Sequence, residues 1–226
     1  MLLRMKKSAA ALVGLAVLSS LVFLGAGGSA GASGSAAEAA GRSSGRTSPL
    51  VALWGDSISN DADSRLEYHI TRVPRRYVAR TVDSSTVRDH HPYMTARMNS
   101  TNPASQAIVE LGTGDARDYR TSTQMRADIR SALNRLRGVN CVSWLNVKEH
   151  RVHPIYAGVV ANAARFNQAL RSVKSSGDYP QLRIVDFNLW AYFNPGAFSA
   201  DGLHFNSAGA DRYARWIAND VVGCSR

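Results

Sequence analysis

From residue 49 onward the apolar positions of the chain fall into two alternating patterns. Short continuous runs occupy residues 49–54 (PLVALW), 77–82, 107–111 (AIVEL), part of 140–147, and 182–187 (LRIVDF). Their shortness, and the glycines at 55 and 112 that close two of them, predict strands rather than helices. Between the later runs, apolar residues recur every three or four positions. Met125, Ile129, Leu133 and Leu136 form one such stripe, Val159, Ala163, Phe166, Leu170 and Val173 a second, and Tyr213, Ile217 and Val221 a third. Each predicts an amphipathic helix, and Thr121 with Gln124 predicts a capping box at the start of the first. Strands that alternate with helices predict an α/β fold: a five-stranded parallel sheet covered on both faces, with ligands bound beyond the carboxyl ends of its strands. The chain contains no internal repeat.

Residues 1–48 break this pattern. Arg4, Lys6 and Lys7 precede an uninterrupted apolar and small stretch over residues 8–24, and Ala30-Gly31-Ala32 fits a small-residue cleavage site. Residues 1–32 are therefore expected to be a secretory signal peptide, with an uncleaved N-terminal anchor as the alternative. Residues 33–48 are expected to be a flexible Gly/Ala/Ser linker. That leaves residues 49–226 as one domain, long enough to bury a sizeable core. Both readings of the N-terminus place this domain outside the cytoplasm.

Composition refines the picture in two ways. Cys141 and Cys224 are the two cysteines of the chain, and an even count in an exported protein favours a disulfide, two buried thiols being the alternative. The formal net charge is +10. The basic residues are spread along the chain, with one local concentration over residues 72–80, so they describe a solvated surface that can touch an anionic cell envelope. No nucleic-acid motif accompanies them, and none is expected as a partner.

Three polar motifs follow predicted strands. Gly55-Asp56-Ser57 closes the first, and a serine there starts the next helix, where its hydroxyl and its unpaired N–H can both face a cleft. Gly112-Thr113-Gly114-Asp115 closes the third and can offer backbone N–H groups to an oxyanion. Asp201-Gly202-Leu203-His204 comes after the fifth. A serine hydroxyl needs a base, histidine titrates in the right range, and a carboxylate fixes its tautomer.

With their order along the chain, the segments VALWGDSIS, IVELGTGDA and DGLHFNSAGADRYA resemble blocks I, III and V of the SGNH/GDSL hydrolases. The resemblance spans nearly the whole domain. It implies a flavodoxin-like three-layer α/β/α sandwich and ester hydrolysis through an acyl-enzyme. It also implies Ser57 as nucleophile, His204 as base and Asp201 as orienting acid, with Ser57, Gly112, Gly114 and Asp115 around the oxyanion and substrate. Neither metal nor organic cofactor is implied. The expected partner is a small-molecule, lipid or acylated-carbohydrate ester, and the expected state is a monomer. Two positions depart from the family pattern. Gly114 stands where block III carries an asparagine donor, and residues 83–88 (DSSTVR) lack the block II glycine whose N–H serves the oxyanion. A backbone N–H near Thr86 or Val87 is expected to replace it. The departures keep two other readings open, an envelope acyltransferase with the same three residues and a degenerate domain that binds glycan or lipid.

The remaining histidines, His90, His91, His150 and His153, lack the spacing of a zinc protease and are read as loop or surface residues rather than metal ligands. Trp54, Trp144, Trp190 and Trp216 are read as packing residues. Trp190, Tyr192 and Phe193 are also read as lying in the loop before Asp201, where they are candidates to line an acyl pocket.

Overall fold

The computed structural model describes residues 48–224; the expected signal peptide and linker, Ser48 apart, lie outside the described residues. Five strands form the sheet: β1 (Leu50–Gly55), β2 (Arg76–Thr81), β3 (Gln106–Glu110), β4 (Cys141–Leu145) and β5 (Leu182–Val185). Their order is β2-β1-β3-β4-β5, and every neighbouring pair is parallel. This is the flavodoxin-like order, in which the chain reverses direction across the sheet between β1 and β3 and opens a crevice at their carboxyl ends. All five strands lie where the apolar runs predicted them.

The helices are α1 (Ser57–Asn60), α2 (Asp63–Thr71), α3 (His91–Met98), α4 (Thr113–Arg117), α5 (Ser122–Arg135), α6 (Ala157–Ser175), α7 (Phe187–Phe193) and α8 (Ser207–Gly223). Parallel strands covered on both sides are apolar throughout, and β1, β3 and β4 are buried at every residue. Successive side chains alternate between two cores. Ala52, Trp54, Val109 and Trp144 pack with Met94 of α3, Ile129 and Leu133 of α5, and Phe166 and Leu170 of α6. Val51, Leu53 and Ile108 pack with Leu66 and Ile70 of α2, Phe187 of α7, and Tyr213 and Ile217 of α8. The result is a three-layer α/β/α sandwich.

The three predicted stripes are the buried faces of α5, α6 and α8. The capping box is present: Thr121 Oγ1 accepts from the Gln124 N–H at 3.2 Å, and Gln124 Oε1 accepts from the Thr121 N–H at 2.9 Å. Cys141 at the start of β4 is bonded to Cys224 at the end of α8, with Cα atoms 5.9 Å apart. Among the described residues no helix is long and apolar enough to cross a membrane.

Candidate active site

β1 carries its apolar run to Gly55 and stops because Asp56 caps the next helix. The Asp56 carboxylate accepts the Ile58 N–H at 3.0 Å, and the Asp56 N–H reaches the Glu110 carbonyl at 3.2 Å. Ser57 is thereby the first residue of α1, at the crevice beside the end of β3.

Asp201 and His204 lie in the loop before α8. One carboxylate oxygen of Asp201 accepts the N–H groups of Leu203 and His204 at 3.0 and 3.1 Å, which folds the loop tightly around it. The other lies 2.6 Å from His204 Nδ1. His204 Nε2 lies 3.0 Å from Ser57 Oγ. Burial raises the Asp201 pKa, but the bonds from the His204 ring and from the two backbone N–H groups outweigh it and hold the carboxyl below its ordinary value. An ionised carboxylate only accepts, so Nδ1 carries the ring proton and Nε2 is free to accept from the serine hydroxyl. The loop is tied to α1 by the Phe205 N–H, which donates to Asp61 at 3.1 Å.

A small pocket of about 100 Å³ opens beside Ser57 and His204. Ser84, Thr113, Gly114 and Arg117 form its polar wall, and Tyr156, Val159 and Leu203 its apolar wall. The polar wall shows how the chain accommodates its two departures from the block pattern. Ser84 holds a left-handed conformation (φ 61°), the conformation glycine adopts most readily. The residues after it are tightly held. The Thr86 N–H donates to Asp89 at 2.8 Å, the Val87 N–H to Asp115 at 2.9 Å, and Ser85 Oγ contacts His90 Nε2 at 2.8 Å. The amides of Thr86 and Val87, expected to face the oxyanion, are thus occupied, and the residue of this loop that reaches the pocket is Ser84. A Cβ at Gly114 would sit 2.2 Å from the Ser85 carbonyl oxygen, so no asparagine fits there while the loop keeps its place.

The other expected site residues divide. Gly112 caps α4 and packs on Phe166. Asp115, expected at the substrate, is instead turned inward. It is fully buried, accepts from Val87, lies 3.6 Å from Arg120, and is pushed up to about 6 mainly by burial. Trp190, Tyr192 and Phe193 sit on helix α7 rather than in a loop. Trp190 stacks on Trp216 and Phe187 at 5.4 and 5.9 Å, while Tyr192 and Phe193 are exposed beside a separate shallow depression. The pocket at Ser57 is lined by other residues.

His90 and His91 are buried rather than on the surface, the first on Ser85 and the second on the Asp128 carbonyl at 3.1 Å. His150 contacts Asn188 at 3.0 Å, and His153 caps a short 3₁₀ turn. No group of three metal-ligating side chains occurs among the described residues.

Sequence reading missed Glu110 and Lys148. Glu110, the last residue of β3, accepts the Ser59 N–H and hydroxyl at 3.2 and 3.0 Å, directly beneath the nucleophile-bearing turn. Burial, and then the neighbouring Asp56 carboxyl, hold its pKa well above the ordinary value; burial likewise pushes Asp56 up to about 6. An acid inside the otherwise apolar run AIVEL was the available signal.

No family model matches the chain. No curated protein matches it either. Solved structures do. A lipase/acylhydrolase from Enterococcus faecalis superposes with a TM-score of 0.63 at 15% identity, over 77% of this chain and 96% of its own. A member of the lipolytic G-D-S-L family from Veillonella parvula gives 0.61 at 17% identity, over 77% and 98%. The C-terminal catalytic domain of peptidoglycan O-acetyltransferase A from Streptococcus pneumoniae gives 0.59 at 19% identity, over 78% and 94%. The fold is of the SGNH/GDSL hydrolase type.

Proposed function

We propose that the protein is an exported ester hydrolase acting through an acyl-enzyme on Ser57. The observation that carries this reading is the series Ser57 Oγ, His204, Asp201, with contacts of 3.0 and 2.6 Å. His204 Nε2 takes the hydroxyl proton as Ser57 attacks the ester carbonyl, and Asp201 stabilises the imidazolium that forms. The backbone N–H groups of Ser57, Ser84 and Gly114, whose residues all line the pocket, are assigned to the oxyanion. His204 then protonates the leaving alcohol and activates the water that releases the acid.

The pocket bounds the acyl group. A volume of about 100 Å³ is below the roughly 300 Å³ at which drug-sized sites begin, and matches about three water molecules. That suits a short acyl group such as acetyl. The same size supports a second reading, transfer of a short acyl group to a sugar hydroxyl instead of to water. Similarity in fold to an O-acetyltransferase domain is consistent with it.

The deciding experiment compares wild type with Ser57→Ala. Wild type is expected to hydrolyse p-nitrophenyl acetate and to be labelled by a fluorophosphonate probe. Ser57→Ala should lose both while its circular dichroism is unchanged. Retained activity in Ser57→Ala, or a folded wild type inert to both reagents, overturns the reading. Product analysis with a sugar alcohol present separates hydrolysis from transfer.

A further inference from the structure

Lys148 lies just beyond β4 and is 4% exposed. An ammonium group buried to that degree is costly unless it is well partnered. Its partners here are unusual. Nζ donates to the carbonyls of Gly202 and Arg151, the latter at 3.3 Å, and lies 3.6 Å from the centre of the Phe198 ring. Methionine would pack the same stem without burying a charge, so the charge itself calls for an explanation.

The backbone around it supplies one. Arg151 and Gly202 are both left-handed, with φ of 52° and 68°. A Cβ at Gly202 would meet the Arg151 carbonyl oxygen at 2.3 Å, so two loops touch there backbone to backbone. Two carbonyl dipoles aimed at one point repel each other unless a cation sits between them, and Lys148 is that cation. A second tie joins the same loops: the His153 N–H donates to the Asp201 carbonyl at 2.7 Å. The loop so gripped presents Asp201 and His204.

We propose that Lys148 is a positioning residue, whose ammonium fixes the Gly202 carbonyl and so holds the 201–204 loop in the register that brings Asp201 to His204 and His204 to Ser57. The proposal rests on the reading of Ser57, His204 and Asp201 as the reacting series. The charged and titratable groups facing Lys148 are Asp201, Arg151 and His150. Burial pulls the ammonium down to about 8; the Asp201 charge opposes this, and the Arg151 charge adds to it. The clamp is therefore intact below about pH 8 and weakens as the proton is lost above it.

Lys148→Met and Lys148→Arg test it, with two readouts: steady-state hydrolysis of p-nitrophenyl acetate, and the downfield NMR resonance of the His204 Nδ1 proton, which needs no turnover. Folded Lys148→Met is expected to lose roughly 10- to 100-fold in kcat, as for a slightly misplaced base. Its KM should change by much less than its kcat, because only Leu203 and His204 of the pocket lining lie on the 201–204 loop. The His204 resonance should broaden or move, and Lys148→Arg should recover part of each effect. A folded Lys148→Met with wild-type kcat and an unmoved resonance overturns the proposal and leaves the esterase reading standing. If instead wild type neither hydrolyses esters nor takes the probe, the esterase reading falls, and the resonance alone decides whether Lys148 positions His204. Should Lys148→Met fail to fold, Lys148→Gln, which keeps a donor without the charge, decides on the same two readouts: a lowered kcat with a moved resonance supports the clamp, and wild-type values of both overturn it.

Discussion

Gly114→Asn restores the family's side-chain donor, and judged on the block pattern alone it should improve the enzyme. An oxyanion donor of this kind accounts for roughly 100- to 1,000-fold in rate. The structure predicts the opposite. The new Cβ would lie 2.2 Å from the Ser85 carbonyl oxygen, 2.8 Å from the Ser85 carbonyl carbon and 3.2 Å from the Ser84 carbonyl oxygen. All three are backbone atoms, so no side chain can swing aside. The loop itself is pinned by the Val82 carbonyl, His90, Asp89 and Asp115. Forcing it outward resembles overpacking a core, at about 1–3 kcal/mol. For a domain of this size that corresponds to a fall in Tm of roughly 2–12 °C. Because Ser84 moves with the loop, kcat on p-nitrophenyl acetate should fall rather than rise. Thermal unfolding followed by circular dichroism, with kcat measured on the same preparation, checks both statements. A Gly114→Asn variant with unchanged Tm and kcat raised tenfold or more would refute the account of the polar wall.

Two further outcomes follow from the scaffold. The Cys141–Cys224 bond closes a loop with a sequence separation of 83, which in the chain-entropy model restrains the unfolded chain by about 4.5 kcal/mol. Cys224→Ala should therefore lower Tm by roughly 9–18 °C, and a drop below about 3 °C would contradict this. The second outcome concerns pH. Burial raises Asp56 from 3.8 to about 6, so its contribution to stability is full below the lower value and is lost as pH rises through the upper one. Asp56→Asn keeps an acceptor for the Ile58 N–H but cannot ionise. Wild-type stability minus that of the variant, measured by urea unfolding, should fall across that window, and a flat difference would mean that the Asp56–Glu110 pair is not held protonated.

What the sequence disclosed, and what it hid, follows from where the apolar residues go. β1, β3 and β4 are buried on both faces, so their runs are unbroken and legible. α5, α6 and α8 each bury one long stripe and were equally plain. α2 buries only Leu66 and Ile70 among its nine residues, too few to show a period. α7 (FNLWAYF) is apolar nearly all round, which erases the period; in the structure Asp186 caps its start by accepting the Leu189 N–H. Ser57, His204 and Asp201, which the structure brings into contact, were legible because the chemistry proposed for them fixes residue type and order along the chain. Glu110 was marked only by standing inside an apolar run, and Lys148 was not legible, because burial of a polar side chain leaves no mark on its own sequence. His90 was misread as a surface residue for the same reason.

The two departures from the block pattern are physically one. An asparagine at 114 and the Ser85 carbonyl cannot occupy the same space, so a block II loop seated on Gly114 excludes the block III donor. The same loop holds Ser84 left-handed at the pocket wall, a conformation that suits glycine better than serine. Thr86, Asp89, His90 and Asp115 are then the side chains that hold a non-glycine residue in that strained turn. Four side chains committed to one turn, His90 and Asp115 wholly buried, are costly unless the turn has a task. A supported, strained turn at the pocket wall is what the oxyanion role proposed for Ser84 requires.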